Sequence, residues 1–424
     1  MPEARTVAFH TLGCKLNFSE TSALSRLLGQ EGFEQRPFEE AADVYVINTC
    51  SVTENADREC RQLVRRIQRR TPDAFVVITG CYAQLKPAEI ASIPGVDLVL
   101  GAAEKFNIAT HLRDLTRGDS ARICSCDIGE VADFNASFSV DDRTRTFLKV
   151  QDGCDYTCAF CTIPMARGRS RSDSIANVVR QAEQLADKGV REIVLTGVNL
   201  GDFGRRQPGS ETTEEDFLGL CQALDRVEGI DRFRISSIEP NLLNPEIIEL
   251  VAASRRFMPH FHIPLQSGSD RILGLMRRRY RRALYAERIT HIRSVMPHAG
   301  IGVDVITGFP SESDEDFRET FDFLHDMDVS YLHVFTYSER DDTKALEIRP
   351  VVQMQVRQER TKILRNLSFM KLRHFTERHA GQIRPVLFEH QDRDGMMEGY
   401  TDNYIRVKAP FRADRVNQIV DWRL

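Results

Sequence analysis

Cys154, Cys158 and Cys161 stand in the run GCDYTCAFCTIP with the spacing C-x3-C-x2-C. Three thiolates on one short loop can grip three irons of a cubane iron–sulfur cluster and leave the fourth iron without a protein ligand. An open iron can bind a small molecule, so the spacing points to chemistry more than to electron storage. Zinc fits less well, because a structural zinc site takes four ligands and this loop supplies three.

A second set of cysteines is dispersed. Cys14, Cys50 and Cys81 each lie just past a short apolar run, in AFHTLGC, VYVINTC and VVITGC. The runs TVAFHTL, DVYVINT, AFVVITG and VDLVLG alternate with helical patterns such as NFSETSALSRLLGQEG and TENADRECRQLVRRIQRR. This βαβα rhythm predicts a doubly wound parallel sheet. In such a sheet the strand ends share one edge, where the three thiols can converge as a second cluster site with an open iron. Equally, each can be a small apolar core residue. Cys60 and Cys221 lack such partners and read as core. The segment TRGDSARICSCDIGEVADFNASFSVDDRTR breaks the rhythm and reads as a linker that also suits a hairpin; its Cys124 and Cys126 read as incidental thiols.

From Thr146 a second series begins, with strand candidates TFLKVQ, EIVLTG, FRISSIE, HFHIPLQ, IGVDVITGF and YLHVFTYS separated by helical segments. Six strands with crossover helices predict an open or partial (β/α) barrel, whose chemistry sits at the C-terminal strand ends. Cys154 follows TFLKVQ by a few residues, at that end. A helix over about residues 351–379 follows. VLFEH, MMEGYTDNYIRVKA and NQIVDWRL, with turns at DRDG and APFRAD, then predict a small all-β module.

The chain has 424 residues, 42% hydrophobic and 28% charged, with a formal net charge of −5. That balance suits a soluble protein of two or three domains and does not advertise nucleic-acid binding. No signal-peptide pattern and no apolar run of ~20 residues is visible, so a membrane role is not expected. Ten cysteines without a secretory signal suit a reducing cytoplasm.

GCDYTCAFCTIP resembles the cluster loop of radical S-adenosylmethionine enzymes. With TLGCKLN, VINTC and ITGC before it and GYTDNYIRVK after it, nearly the whole chain resembles a radical-SAM methylthiotransferase. The resemblance implies a methylthiotransferase N-terminal domain (5–114), a linker (115–143), a partial (β/α)6 radical-SAM core (144–375) and a TRAM-like module (376–424). It makes Cys14, Cys50 and Cys81 ligands of a second [4Fe-4S] cluster, beside the one on Cys154, Cys158 and Cys161. TLGCKLNFSET and GYTDNYIRV are most similar to the branch that acts at C2 of N6-threonylcarbamoyladenosine at position 37 of tRNA. The other branches act on isopentenyladenosine in tRNA and on a ribosomal-protein aspartate. A metal-cluster RNA-binding module without catalysis is the alternative from another class. The implied partners are a tRNA anticodon stem-loop and a flavodoxin- or ferredoxin-like electron donor, with the chain acting as a monomer.

Further residues at the strand ends fit S-adenosylmethionine binding, with local packing or an ordinary βα turn as the alternative for each. Phe160 stands where the family has an aromatic near the adenine. Thr196, Gly197, Val198 and Asn199 close the second barrel strand near the methionyl amine. Ser237 and Glu239 end the third strand within reach of ribose hydroxyls. Gln266 and Asp304 end later strands and line the site. Arg167 and Arg171 follow the cluster loop, and Arg278, Arg279 and Tyr280 stand in MRRRYRR. With Arg406 these read as RNA contacts or as solvated charge. Arg61, Arg65 and Arg69 share one helix face and allow the same two readings. His260 and His262 point to one face of their strand without an evident third ligand, and read as barrel lining.

Overall fold

The computed structural model describes all residues except 1–4, 52–53, 114–117, 119, 141–143, 207–213 and 392–393. Parts of the expected linker (115–117, 119 and 141–143) and two residues of the DRDG turn therefore lie outside the described residues.

The N-terminal strands β1 (Thr6–Thr11), β2 (Glu34–Arg36), β3 (Val44–Thr49), β4 (Phe75–Gly80), β5 (Leu98–Leu100) and β6 (Arg122–Cys124) form one parallel sheet in the order β2-β1-β3-β4-β5-β6. Every side chain of β3 and β4 is buried, because helices cover both faces of a doubly wound sheet. Val44, Val46, Val77 and Leu98 pack with Leu24 and Leu28 of α1 (Lys15–Gln30). Tyr45, Ile47, Val76 and Ile78 face the other way, against Leu63, Val64 and Ile67 of α2 (Glu54–Arg70). The sixth strand departs from the linker reading. Arg122–Cys124 pairs with β5 and satisfies the open edge that β5 would otherwise present.

Strands β7 (Ser137–Phe138), β8 (Arg145–Lys149), β9 (Gln151–Asp152) and β10 (Arg171–Ser172) lead into the second unit. Its parallel strands are β8, β11 (Glu192–Thr196), β12 (Arg232–Ile235), β13 (His260–His262), β14 (Gly300–Thr307) and β15 (Tyr331–Thr336). A bridge between Phe233 and Phe257 joins the β8-β11-β12 half to the β13-β14-β15 half. The result is the partial six-stranded barrel that the alternating pattern predicts.

The C-terminal strands β16 (Ile383–Gln391), β17 (Met396–Thr401), β18 (Arg406–Pro410) and β19 (Ile419–Arg423) form an antiparallel sheet around Val386, Phe388, Met397, Val407 and Ala409. This module plugs the N-terminal mouth of the barrel. Arg234, on β12, donates to the Asp402 carbonyl at 3.0 Å, and Asn403 donates to the His298 carbonyl at 2.9 Å. The Tyr404 ring stacks on His260 with centroids 4.2 Å apart. Tyr404 sits in the turn after β17 with a φ of 73° and faces inward.

Candidate radical and sulfur site

Gly153 precedes the cluster loop with a φ of 70°, and its missing Cβ leaves room for the Arg169 carbonyl. The loop therefore leaves β9 sharply and presents its thiols as one group. The Tyr156 amide donates to Cys154 Sγ at 3.4 Å, the Ile163 amide to Cys161 Sγ at 3.4 Å, and Arg278 Nη1 to Cys158 Sγ at 3.1 Å. Three donors aimed at sulfur suit thiolate ligands of an iron–sulfur cluster. Without metal, burial pushes the Cys154 and Cys161 thiols up to about 12 and raises Cys158 as well. A bound cation supplies the charge that makes such thiols into ligands.

Cys14, Cys50 and Cys81 come together at the C-terminal edge of the N-terminal sheet. A Cβ on Gly13 would lie 2.5 Å from Cys50 Cβ and 2.8 Å from its Sγ, so the residue before Cys14 touches Cys50. Cys81 begins the short helix after β4, and its thiol interacts electrostatically with Cys14, Arg167 and Lys105. The dispersed trio is thus one group; Cys221 is buried in the barrel core, and Cys60 is buried in the apolar cluster that also holds Cys50. Cys124 lies in β6, 3.9 Å from His111 Nδ1, and the Cys126 carbonyl accepts from Gln84.

Beside the dispersed thiols lies a buried ionic cluster, built in part from residues that flank the cluster loop in sequence. Glu20 on α1 accepts from Lys105 at 2.6 Å, Lys149 at 3.0 Å and Arg167 at 3.0 Å. Asp152 accepts from Lys149 at 2.7 Å, Arg167 at 3.0 Å and Arg171 at 3.4 Å. Arg167 also donates to Asn17 at 2.7 Å. Burial alone would raise both carboxyl pKa values, but the surrounding cations hold Glu20 and Asp152 well below the usual carboxylate range. Four cations face two carboxylates, and Arg167 senses the thiols of both Cys81 and Cys14. That surplus of positive charge fits an anionic cluster on Cys14, Cys50 and Cys81. Asn17 and Glu20 lie three and six residues after Cys14, and their i,i+3 spacing on one helix face is the sequence signal for this contact.

The predicted RNA cations divide by burial. Arg167 and Arg171 are buried in the ionic cluster, so neither is an RNA contact. Arg278 is buried between Cys158 and the Glu239 carboxylate, to which it is ion-paired. Tyr280 is buried too, its hydroxyl donating to the Pro264 and Leu265 carbonyls at 2.7 and 2.8 Å. These groups turn inward because buried partners meet them there: Glu20 and Asp152 for Arg167 and Arg171, Glu239 for Arg278, and backbone carbonyls for Tyr280. Arg279, over the Tyr156 ring at 3.9 Å, and Arg406, paired with Glu398, remain at the surface. Arg61 pairs with Glu89 at 2.7 Å, whereas Arg65 and Arg69 are exposed.

A cavity of about 230 Å³ opens beside the cluster loop, lined by Phe160, Cys161, Gln266, Asp304, Ile306 and Arg340 among others. Phe160 packs edge-on to Phe309 with centroids 6.3 Å apart. Gln266, with a φ of 70°, is placed by its backbone N–H, which donates a hydrogen bond to the Asp304 carbonyl. Arg340 reaches across to Ser51 and Asp57, both at 2.9 Å, and ties this cavity to the segment after Cys50. At the β11 end, Thr196 bonds back to the Val194 carbonyl and Asn199 bonds to Asp202. Gly197 packs closely on Gln151 and Leu200, and Val198 is half-buried beside it. Ser237 is half-buried, and Glu239 is engaged by Arg278. The histidines do not act as a pair. His260 bonds to Tyr331 at 2.8 Å, while His262 Nε2 lies 2.8 Å from Asp304, which His333 also approaches at 3.4 Å.

Arg278→Met would leave Glu239 buried without its counter-charge, and is expected to cost about 3–5 kcal/mol of stability. The double change Arg278→Met with Glu239→Met should recover most of that loss. Urea unfolding of the three variants checks the expectation.

A partial barrel with three cysteines spaced C-x3-C-x2-C at the end of its first strand defines a radical S-adenosylmethionine enzyme. Residues 148–324 match the radical SAM superfamily, and residues 6–101 match uncharacterized protein family UPF0004. The chain is 41% identical to a Bacillus subtilis (strain 168) protein named threonylcarbamoyladenosine tRNA methylthiotransferase MtaB, covering 99% of this chain and 93% of that one. It is 32% identical to a Nitratidesulfovibrio vulgaris (strain Hildenborough) protein named tRNA-2-methylthio-N(6)-dimethylallyladenosine synthase, covering 93% and 88% of the two chains. In fold it is similar to the radical S-adenosylmethionine methyltransferase TsrM from Kitasatospora setae, with a TM-score of 0.56 and 18% identity over 78% of this chain and 73% of that one. The chain belongs to the radical-SAM tRNA methylthiotransferase family. Membership implies one [4Fe-4S] cluster and S-adenosylmethionine, and the thiols of Cys154, Cys158 and Cys161 with their sulfur-directed donors fit that cluster. No described helix is long and apolar enough to cross a membrane.

Proposed function

We propose that this protein places a methylthio group on C2 of N6-threonylcarbamoyladenosine at position 37 of tRNA. The observation that carries the reading is the pair of three-thiol groups joined through one buried ionic cluster. The greater identity to the relative named for threonylcarbamoyladenosine supports the choice of base. When bound, the two clusters and S-adenosylmethionine supply the one-electron chemistry, the sulfur and the methyl group.

The chain's own residues bind, orient and exclude water. Cys154, Cys158 and Cys161 hold the first cluster, and Arg278 donates to the Cys158 sulfur. Cys14, Cys50 and Cys81 hold the second, beside the cationic surplus around Arg167. The cavity walled by Phe160, Gln266 and Asp304 receives S-adenosylmethionine. Exposed Arg169 and Arg279 stand at the loop for phosphate contact, and Arg406 and Lys408 do so on the C-terminal module. A flavodoxin- or ferredoxin-like donor delivers the electron, and the enzyme works as a cytoplasmic monomer.

The test is reconstitution without oxygen, followed by incubation with anticodon stem-loops carrying either threonylcarbamoyladenosine or isopentenyladenosine. Mass spectrometry of the digested nucleosides should find methylthio product from the first. Product from isopentenyladenosine alone would overturn the choice of base.

A further inference from the structure

A second cavity, of about 250 Å³, lies inside the barrel, below the level of the cluster loop. Its walls come from all three units. Gly13, Lys15 and Phe18 enter from the N-terminal domain, Arg145, Arg234 and His260 from the barrel strands, and Tyr404 from the C-terminal module. Gly13 is the residue that touches Cys50, and Lys15 follows Cys14 directly, so the cavity adjoins the second thiol group. It is smaller than the about 300–1,000 Å³ of pockets that take whole ligands. A substituent on a base fits that size better than a nucleotide does.

The charges around it do not balance. Arg145 is paired with Glu389 at 2.6 Å, and Arg234 with Glu192 at 3.0 Å. Lys15 has neither a hydrogen bond nor an ion pair among the described residues. One wall also carries an unused polar atom: His260 is 4% exposed, its Nε2 meets Tyr331, and its Nδ1 has no partner. An unpaired ammonium and a buried unpartnered ring nitrogen in one small cavity describe a receptor for an anionic, hydrogen-bonding group. Phe18, Phe147, Val194 and Ile235 supply apolar wall for an attached methyl group.

We propose that this cavity receives the threonyl end of the modified adenosine, with Lys15 pairing with its carboxylate and His260 hydrogen-bonding to it. The proposal rests on threonylcarbamoyladenosine being the substrate, and it makes Lys15 a specificity-determining residue. An isopentenyl group would lie against the same ammonium and offer it no partner. That mismatch favours the charged substrate over the apolar one.

The experiment compares two RNA stem-loops, one carrying threonylcarbamoyladenosine and one carrying its primary carboxamide, which removes the charge and keeps the shape. The reconstituted enzyme should prefer the carboxylate by about 10- to 100-fold in kcat/KM, the range of a charge-assisted hydrogen bond. Lys15→Met should bring that ratio close to one, and Lys15→Arg should preserve most of it. Iron content is measured on each variant, because Lys15 is the neighbour of a proposed ligand. If Lys15→Met slows both RNAs equally, or the wild-type enzyme does not distinguish them, the carboxylate pairing is wrong while the substrate assignment stands. If the wild-type enzyme methylthiolates neither RNA, the substrate assignment itself falls, and this proposal with it.

Discussion

Cys154→Ala should abolish cleavage of S-adenosylmethionine, while Cys50→Ala should spare cleavage and stop sulfur insertion. The two thiols belong to separate groups; Arg167 of the ionic cluster with Glu20 and Asp152 lies near Cys14 and Cys81. Removing one thiol from the loop leaves two ligands, which do not retain a cubane cluster with a defined open iron. Removing Cys50 leaves the loop, its sulfur-directed donors and the Phe160–Asp304 cavity in place. Each variant should therefore carry about four irons per chain where the wild type carries about eight, counting a cubane as four. The readouts are iron and sulfide content, 5′-deoxyadenosine release and methylthio nucleoside. If Cys50→Ala still made methylthiolated RNA, its place in the sulfur-donating group would be wrong.

Glu20→Ala should be the most destabilising single change outside the thiols. It removes the one carboxylate that Lys105, Lys149 and Arg167 share, and leaves four buried cations facing Asp152 alone. Breaking a buried ion pair by deleting one partner costs about 3–5 kcal/mol, because the remaining charge has lost both water and counter-charge. Glu20→Gln should be nearly as severe, since shape is kept and charge is not. Adding Lys105→Met to Glu20→Ala should restore part of the loss. The same cluster sets a pH dependence. The folded-state pKa values of Glu20 and Asp152 lie below their ordinary values of 4.5 and 3.8. Their contribution is therefore complete above those values and is lost as pH falls below them. Urea midpoints of the wild type should drop on acidification through that region, and those of Glu20→Ala should drop less.

The ionic cluster also explains how two domains can hold two thiol groups at a fixed separation. Asn17, Glu20 and Lys105 come from the N-terminal domain, while Lys149, Asp152, Arg167 and Arg171 come from the barrel. Buried charges tolerate little displacement, since each must keep its partners to offset the loss of water. Arg340, bonded to Ser51 and Asp57, makes a second tie on the other side of the cavity.

Much of this was legible in the linear chain. The spacing of Cys154, Cys158 and Cys161 is a local property, because a short loop brings its own thiols together wherever it sits. The hydrophobic periodicity set the strands and helices, and each of Cys14, Cys50 and Cys81 follows a strand whose end lies on the shared edge. Alternating β and α elements leave little freedom in where those edges fall. The fate of the polar residues was not legible in the same way. A run such as RRRY has one composition whether it faces water or a cluster loop. Only the packed structure buries Arg278 and Tyr280 while leaving Arg279 exposed. Arg167 and Arg171 turn inward because Glu20 and Asp152, 147 and 19 residues away respectively, meet them there. The role of Lys15 depends on walls contributed by residues as distant as Tyr404. Local spacing determined which atoms could do the chemistry. The meeting of distant charges, set by folding, decided which of them are held in the interior and which remain free for a substrate.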